Sequence, residues 1–408
     1  MKNKYLLLFL SVILVSFTSQ SNRTIESKEK SKYVILQENG KTKIDALFLY
    51  SSVFKGIKTI VLETNESCLI GFIKKIHVFE NNIFVLDAVN AKSLYIFDKE
   101  GHFVRKIGGI GQGPGDYTRP NDFTIDKAKK TIYILDAALQ RINKYDIATG
   151  NFISAINLDK GVISDRIEFM DGKIYTDASF QNHSDKNYLL RVIQESSGKD
   201  VGQYLNVMDY HKGISNNLRT TIQPQTFFLR KNGNLVFVQQ FMDHLIEINR
   251  DSVFSLIDLK GKESITPAEI KRAYEKNELL YRTELRKLNK YFEVHSFVEN
   301  DNWFLLEYCK GVWPKTILID KKTNEVTIFE KNRDDLLLSE NAGNSYPVPQ
   351  AGCFDEHGVY FFIHQVIIPN IKKWVNGGVF SPNLDRLEEL KKIDEHANPI
   401  LFYYEFKE

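Results

Sequence analysis

The chain has little of what marks a redox, metal or nucleotide protein. Cysteine occurs three times in 408 residues, at Cys68, Cys309 and Cys353. An odd number at scattered positions makes neither a disulfide framework nor a zinc signature. Buried, unpaired thiols are the expected state, with a Cys309–Cys353 bridge left open in an oxidising compartment. The nine histidines include no His-x-x-x-His or His-x-His pair, and no Gly-x-Ser-x-Gly elbow occurs. No catalytic residues and no metal or cofactor site are therefore assigned. Charge of one sign is also missing: 54 basic residues face 52 acidic ones, a net +2. That balance argues against a general binder of nucleic acid or anionic membrane.

Long apolar runs are absent but for one. Lys2 and Lys4 precede a nearly unbroken apolar stretch from Tyr5 to Phe17, followed by small and polar residues. This reads as a secretory signal over 1–20, too short to span a bilayer comfortably. No further transmembrane segment is expected. Residues 21–44 read as a linker, and the folded unit as 45–408.

A glycine-rich run, Gly108-Gly-Ile-Gly-Gln-Gly-Pro-Gly-Asp-Tyr117, looks at first like a phosphate cradle. Counted from Gly109 the sixth position is Pro114, and from Gly111 it is Asp116. Neither register gives Gly-x-Gly-x-x-Gly, and no helical pattern follows. The run reads instead as a tight crossing between two copies of a repeat.

That repeat organises the chain. Six short apolar runs follow polar turns: 82–87, 131–136, 173–177, 234–239, 302–307 and 358–364. They do not alternate apolar with polar, so both faces of each strand should be buried. Helices would separate such strands in a parallel α/β sheet, but here a second strand follows each one, and a third follows most. Stacked antiparallel blades satisfy the pattern. The period is roughly 55 residues, near the long end for propellers. The fold expected is all-β, a six-bladed β-propeller. Its last blade lacks an outer strand, which Gly56 to Glu63 should supply, closing the ring. Blade 3 is the weakest, because Val201-Gly-Gln-Tyr204 makes a poor outer strand.

Two charged segments interrupt the repeat and read as short helical insertions. Over 266–290, Thr266-Pro-Ala-Glu269 forms a capping box with proline at the first helical position. Over 382–396, Leu384, Leu387, Leu390 and Ile393 fall at helical spacing.

This layout resembles the "6-bladed beta-propeller" family of secreted or lipid-anchored Gram-negative proteins, related to NHL repeats. The resemblance rests on Val61-Leu-Glu63, Phe97-Asp98-Lys-Glu-Gly101, the Gly-Gln-Gly-Pro-Gly core, Asp122-Phe-Thr-Ile-Asp126 and Asn398-Pro399. It implies a fold and an exported, periplasmic or cell-surface location, and no established activity. Many members carry a cysteine just after the signal, and this chain does not.

In a propeller the first strand of each blade lines the axial channel, and ligands bind at a mouth. Residues at those strand starts, with Tyr117 from the crossover, are the candidate binding set: Lys74, Tyr117, Arg119, Asn121, Arg166, Gln225, His295 and Gln350. Amides and arginines suit sugar hydroxyls, carboxylates or peptide backbone. Asp87, Asp136 and Asp177 end buried strands, and their repetition suggests turn capping rather than catalysis. Trp313 in a hairpin could stack on a sugar or a protein. The reading is a monomeric, non-catalytic binding module for a glycan, peptide or envelope protein. The alternative is a metal-dependent lyase or lactonase, for which only Glu293 and His295 look suitable.

Overall fold

The computed structural model describes residues 25–26, 31–35, 42–158, 162–180, 188–210, 227–250, 252–343 and 349–407. The signal segment and Gln225 lie outside them.

Six antiparallel sheets follow one another around a ring. Blade 1 comprises Lys75–Phe79, Asn82–Asp87, Ser93–Asp98 and Phe103–Ile107, in that order from the inside outward. Blades 2 to 5 repeat the pattern, beginning with the inner strands Pro120–Asp126, Ile167–Met170, Phe227–Leu229 and Tyr291–Glu299. Blade 6 takes Gln350–Phe354, Gly358–Ile363 and Ile400–Phe406 from the end of the chain, and Phe54–Val61 from its beginning. The closing register runs from Ile400 opposite Val61 to Phe406 opposite Phe54. The propeller and its closure therefore stand as the repeat implied, and Asp200–Asn206 does form the outer strand of blade 3.

The core lies between blades. The second strands Thr131–Asp136 and Gly358–Ile363 are buried at every position. One cluster joins blades 1 and 2 through Phe84, Leu86, Phe123 and Ile134. Another joins blades 6 and 1 through Ile76, Val85, Tyr360 and Leu401. Each fully buried large apolar side chain contributes about 1.5–3 kcal/mol, so neighbouring blades stabilise one another and no blade stands alone.

The beginning of the folded chain holds more than the closing strand. Thr42–Leu49 pairs in parallel with Val326–Arg333 as a fifth strand on blade 5. Ile25–Glu26 and Tyr33–Val34 pair in parallel with the outer strand of blade 4. The stretch read as a linker thus carries strand pieces that cover sheet edges.

The first helical insertion forms as expected, with helices Pro267–Lys276 and Tyr281–Arg286. Thr266 Oγ1 accepts from Glu269 N, and Glu269 Oε2 accepts from Thr266 N at 2.9 Å. The second insertion differs from its expectation. Its main helix is Ile368–Asn376, and only Leu387–Leu390 is helical within 382–396. Pro369 starts the longer helix, and Ile368, Ile371 and Val375 bury one face of it. Leu384 and Leu390 are buried as well, but Leu384 lies in a turn.

Candidate functional site: an unpaired cationic mouth

The inner strands all run the same way, so their starts converge on one mouth of the channel. Four of the eight candidate residues meet there, on blades 1 to 3. Lys74 is half-buried, and its ammonium is held below its usual range by burial first and by repulsion from Arg166 and Arg119, against attraction from Asp122 and Asp165. Asn121 ties blade 2 to blade 3, its Nδ2 donating to the Asp165 carbonyl and carboxylate at 2.9 Å each. Among the described residues, Lys74, Arg119 and Arg166 make no ion pair.

Two further candidates lie near the inner-strand starts of other blades, and Gln225 lies outside the described residues. His295 and Gln350 are on blades 5 and 6. His295 is 38% exposed and lies 3.8 Å from Glu293. Contact with Cys309, and then with Glu293, raises its pKa to about 10. Gln350 Oε1 meets His364 Nε2 at 3.2 Å, and the His364 ring stacks on Phe72 at 4.4 Å. Tyr117 is a correction. It is fully buried between blades 1 and 2, its hydroxyl donating to the Ile107 carbonyl at 2.8 Å. The crossover turns the ring inward because positive φ at Gly108 and Gly115 lets Tyr117 and Phe152 pack where a Cβ would sit.

The glycine-rich loop also answers the phosphate question. Gly113 N donates to Asp116 Oδ2 at 2.8 Å, so the anion held there is the loop's own carboxylate. The repeated aspartates cap as expected. Asp87 accepts from Val89 and Asn90 on the following turn, and from Gly71 and Phe72 before the inner strand. Asp136 does the same for Thr118, Arg119, Ala138 and Leu139. Asp177 accepts from Asp165 and Arg166 at 2.8 Å, which fixes the mouth backbone.

Behind the mouth the channel is plugged by a network that the sequence reading missed. Lys75 Nζ donates to Glu168 Oε1 at 2.6 Å and to the Phe123 carbonyl at 2.7 Å, and lies 3.1 Å from Asp122 Oδ1. Burial works against its charge, but Asp122 and Glu168 outweigh it and hold the ammonium above its usual range. Thr124 Oγ1 donates to Glu168 Oε2 at 2.7 Å and accepts from Phe169 N. His77 faces the same space with Nε2 lacking a protein partner. Its burial, with Lys127 and Lys75 nearby, lowers its pKa to about 3. The signal was polar residues two apart, Lys75 with His77 and Asp122 with Thr124, on strands otherwise apolar. Phe227, Phe297 and Phe354 line the cavity beside this network.

The opposite mouth contrasts. Its cations are largely neutralised: Arg230 pairs with Glu247 at 2.6 Å and Glu299 at 2.8 Å, Lys231 with Asp301, and Lys129 with Glu195. On the side of the cationic mouth, near the start of blade 5's inner strand, Glu293, one of the two groups suited to a metal, is held by Arg282 at 2.6 and 2.5 Å. Among the described residues, no three His, Cys, Asp or Glu side chains converge as a metal ion would require. The three cysteines are free thiols.

Comparison with known proteins adds the fold's relatives. The solved structure of a candidate exported protein from Bacteroides fragilis superposes with a TM-score of 0.71 at 19% identity, covering 90% of this chain and 99% of that one. A member of the duf4221 family from Bacteroides vulgatus gives 0.47 at 12% identity, over 87% and 97% of the two chains, a likeness too loose to carry an argument. Among the curated proteins none matches. Residues 20–405 match the family described as Domain of unknown function (DUF4934), and the chain belongs to that family.

Proposed function

We propose that this propeller is an exported binding module. It recognises an anionic group, the carboxylate of an acidic glycan, peptide or envelope protein, at the mouth formed by blades 1 to 3. The observation that carries this reading is the contrast between the two ends of the channel. Among the described residues, Lys74, Arg119 and Arg166 stand together with no carboxylate in ion-pair contact, although Asp122 and Asp165 act on Lys74 from further off, while most cations of the opposite rim, Arg230, Lys231 and Lys129, are paired. Holding like charges together is unfavourable unless something offsets it, and a bound anion would do so through charge-assisted hydrogen bonds. Asn121, held in place by Asp165, rigidifies the floor. An exported location is supported by the signal-like segment 1–20 and agrees with the Bacteroides fragilis relative.

Thermal-shift measurement across matched acidic and neutral oligosaccharides and peptides tests the reading. Acidic members should raise the melting temperature, and EDTA should not change the rise. Equal shifts from acidic and neutral members would refute charge recognition, and a chelator-sensitive shift would favour the metal-dependent alternative.

A further inference from the structure

The exposed apolar residues are distributed unevenly over the two faces. Sixteen large hydrophobic side chains are exposed among the described residues. Eleven lie in connections on the side of the cationic mouth, where inner strands begin and second strands end. The other five, such as Val104 and Ile153, lie on outermost strands. Among the described residues, the loops of the opposite face carry none.

The densest group belongs to the first helical insertion and its neighbour hairpin. Leu279 is 92% exposed and Leu280 56%, at the turn between the two helices. Trp313 is 73% exposed and Val312 61%, at the tip of the blade 5 hairpin. The pieces are joined: Gly311 sits against Asn289 and the Arg286 carbonyl, and Gly311 N donates to the Lys290 carbonyl. Tyr281 and Leu285 bury the opposite side of the second helix, so it is fixed to the ring with its tip outward. This is a rigid, convex apolar projection, not a groove.

Its charge is equally distinctive. Residues 260–290 hold nine basic and five acidic side chains, a net +4. The whole chain is +2, so the remainder is net −2. The chain-wide balance, which argued against an anionic surface, conceals this local excess. Lys271, Lys276, Lys287 and Lys290 pair with glutamates of the segment and Arg282 with Glu293, so that Arg272 and Arg286 are the cations in no ion pair among the described residues.

We propose that the mouth face is a docking face for an anionic lipid surface. Leu279, Leu280 and Trp313 enter the interfacial region, and the basic residues of the insertion meet the headgroups. Separate apolar tips on a rigid frame need no shaped pocket in the partner, which suits lipid more than a protein. Leucine and tryptophan beside lysine and arginine make the usual interfacial composition. Attraction to anionic headgroups adds to insertion and weakens with salt. The proposal is separate from ligand recognition at the mouth: it needs the insertion, and the mouth reading needs Lys74, Arg119 and Arg166.

Co-sedimentation with vesicles tests it. The protein should bind phosphatidylcholine vesicles containing one quarter phosphatidylglycerol, and bind pure phosphatidylcholine at least about tenfold more weakly. Leu279→Ser/Leu280→Ser/Trp313→Ser should lower binding about tenfold or more with an unchanged melting temperature. Arg272→Glu/Arg286→Glu should remove the preference for the anionic lipid. Lys74→Gln/Arg119→Gln/Arg166→Gln removes three cations of the same face and should weaken binding to anionic vesicles without abolishing it, since Leu279, Leu280 and Trp313 remain, whereas it should abolish ligand recognition at the mouth, so that failure here is distinguishable from failure of the mouth reading. No binding to anionic vesicles at low salt would overturn the proposal. So would binding that the triple serine variant leaves unchanged, or capture of a protein partner through this face with no vesicle binding.

Discussion

Asn398 holds the ring's closure, and its replacement should loosen the closure before anything else. The residue is buried just before the last strand of blade 6. Its Oδ1 accepts from Ile70 N at 2.8 Å, and its Nδ2 donates to the carbonyls of Glu63 and Cys68 at 2.6 Å each. Those partners belong to the loop between the closing strand and blade 1, so one side chain joins the two ends of the ring. Asn398→Ala leaves one N–H and one or two carbonyls unsatisfied, since Glu63 O keeps the Cys68 thiol at 3.2 Å. At about 1–3 kcal/mol for each buried group, the cost is about 2–9 kcal/mol. With an unfolding entropy of about 2.1 cal/mol/K per residue over the chain, that lowers Tm by about 2–10 °C. Hydrogen exchange locates the effect: amides of Phe54–Val61 and Ile400–Phe406 should lose protection more than those of blade 3. Asn398→Asp should also destabilise, because its second oxygen would face two carbonyls. A Tm within 1 °C of the wild type, or protection lost evenly around the ring, would refute the assignment.

Lys75→Met should cost about 3–5 kcal/mol by stranding Asp122 and Glu168 in the channel. Adding Glu168→Gln should recover part of it, and an unchanged urea midpoint for the single variant would contradict the network. His77 has a folded pKa lowered from 6.5 to about 3, so the unfolded chain binds its proton first. Stability should fall as pH drops below 6.5 by up to about 1.4 kcal/mol per unit, levelling near pH 3. His77→Leu should flatten that part of the profile, and identical acid limbs would count against the assignment. Gly115→Val should cost about 2–4 kcal/mol, because φ is +83° and a Cβ would meet Phe152 at 2.6 Å. Gly113→Val should cost less, since its nearest neighbour is the Asp116 carboxylate at 3.1 Å, and denaturation midpoints will order the two.

The ring was legible because burial on both faces writes a continuous apolar run at every second strand, and six such runs recur. The edge strand Thr42–Leu49 was not, since five of its eight residues are exposed and leave no periodic trace. The main helix of the second insertion escaped because its buried positions Ile368, Ile371 and Val375 flank a short turn next to an apolar strand. At the mouth, strand starts pointed to Lys74, Arg119, Asn121 and Arg166. The glycine-rich crossover pointed to Tyr117, whose ring packs where Gly108 lacks a Cβ and is buried, which no local pattern shows. Lys75, Asp122 and Glu168 come from three blades, and only the closed ring brings their charges together.

The unpaired cations Lys74, Arg119 and Arg166 should bind an anionic group at the mouth. Isothermal titration of an acidic oligosaccharide and its neutral counterpart, with the wild type and with Lys74→Gln/Arg119→Gln/Arg166→Gln, tests it most directly. The expected result is binding of the acidic compound alone, weakening with salt and lost in the triple variant at unchanged Tm. Binding of both compounds alike, or of the acidic one undiminished in the triple variant, would contradict it.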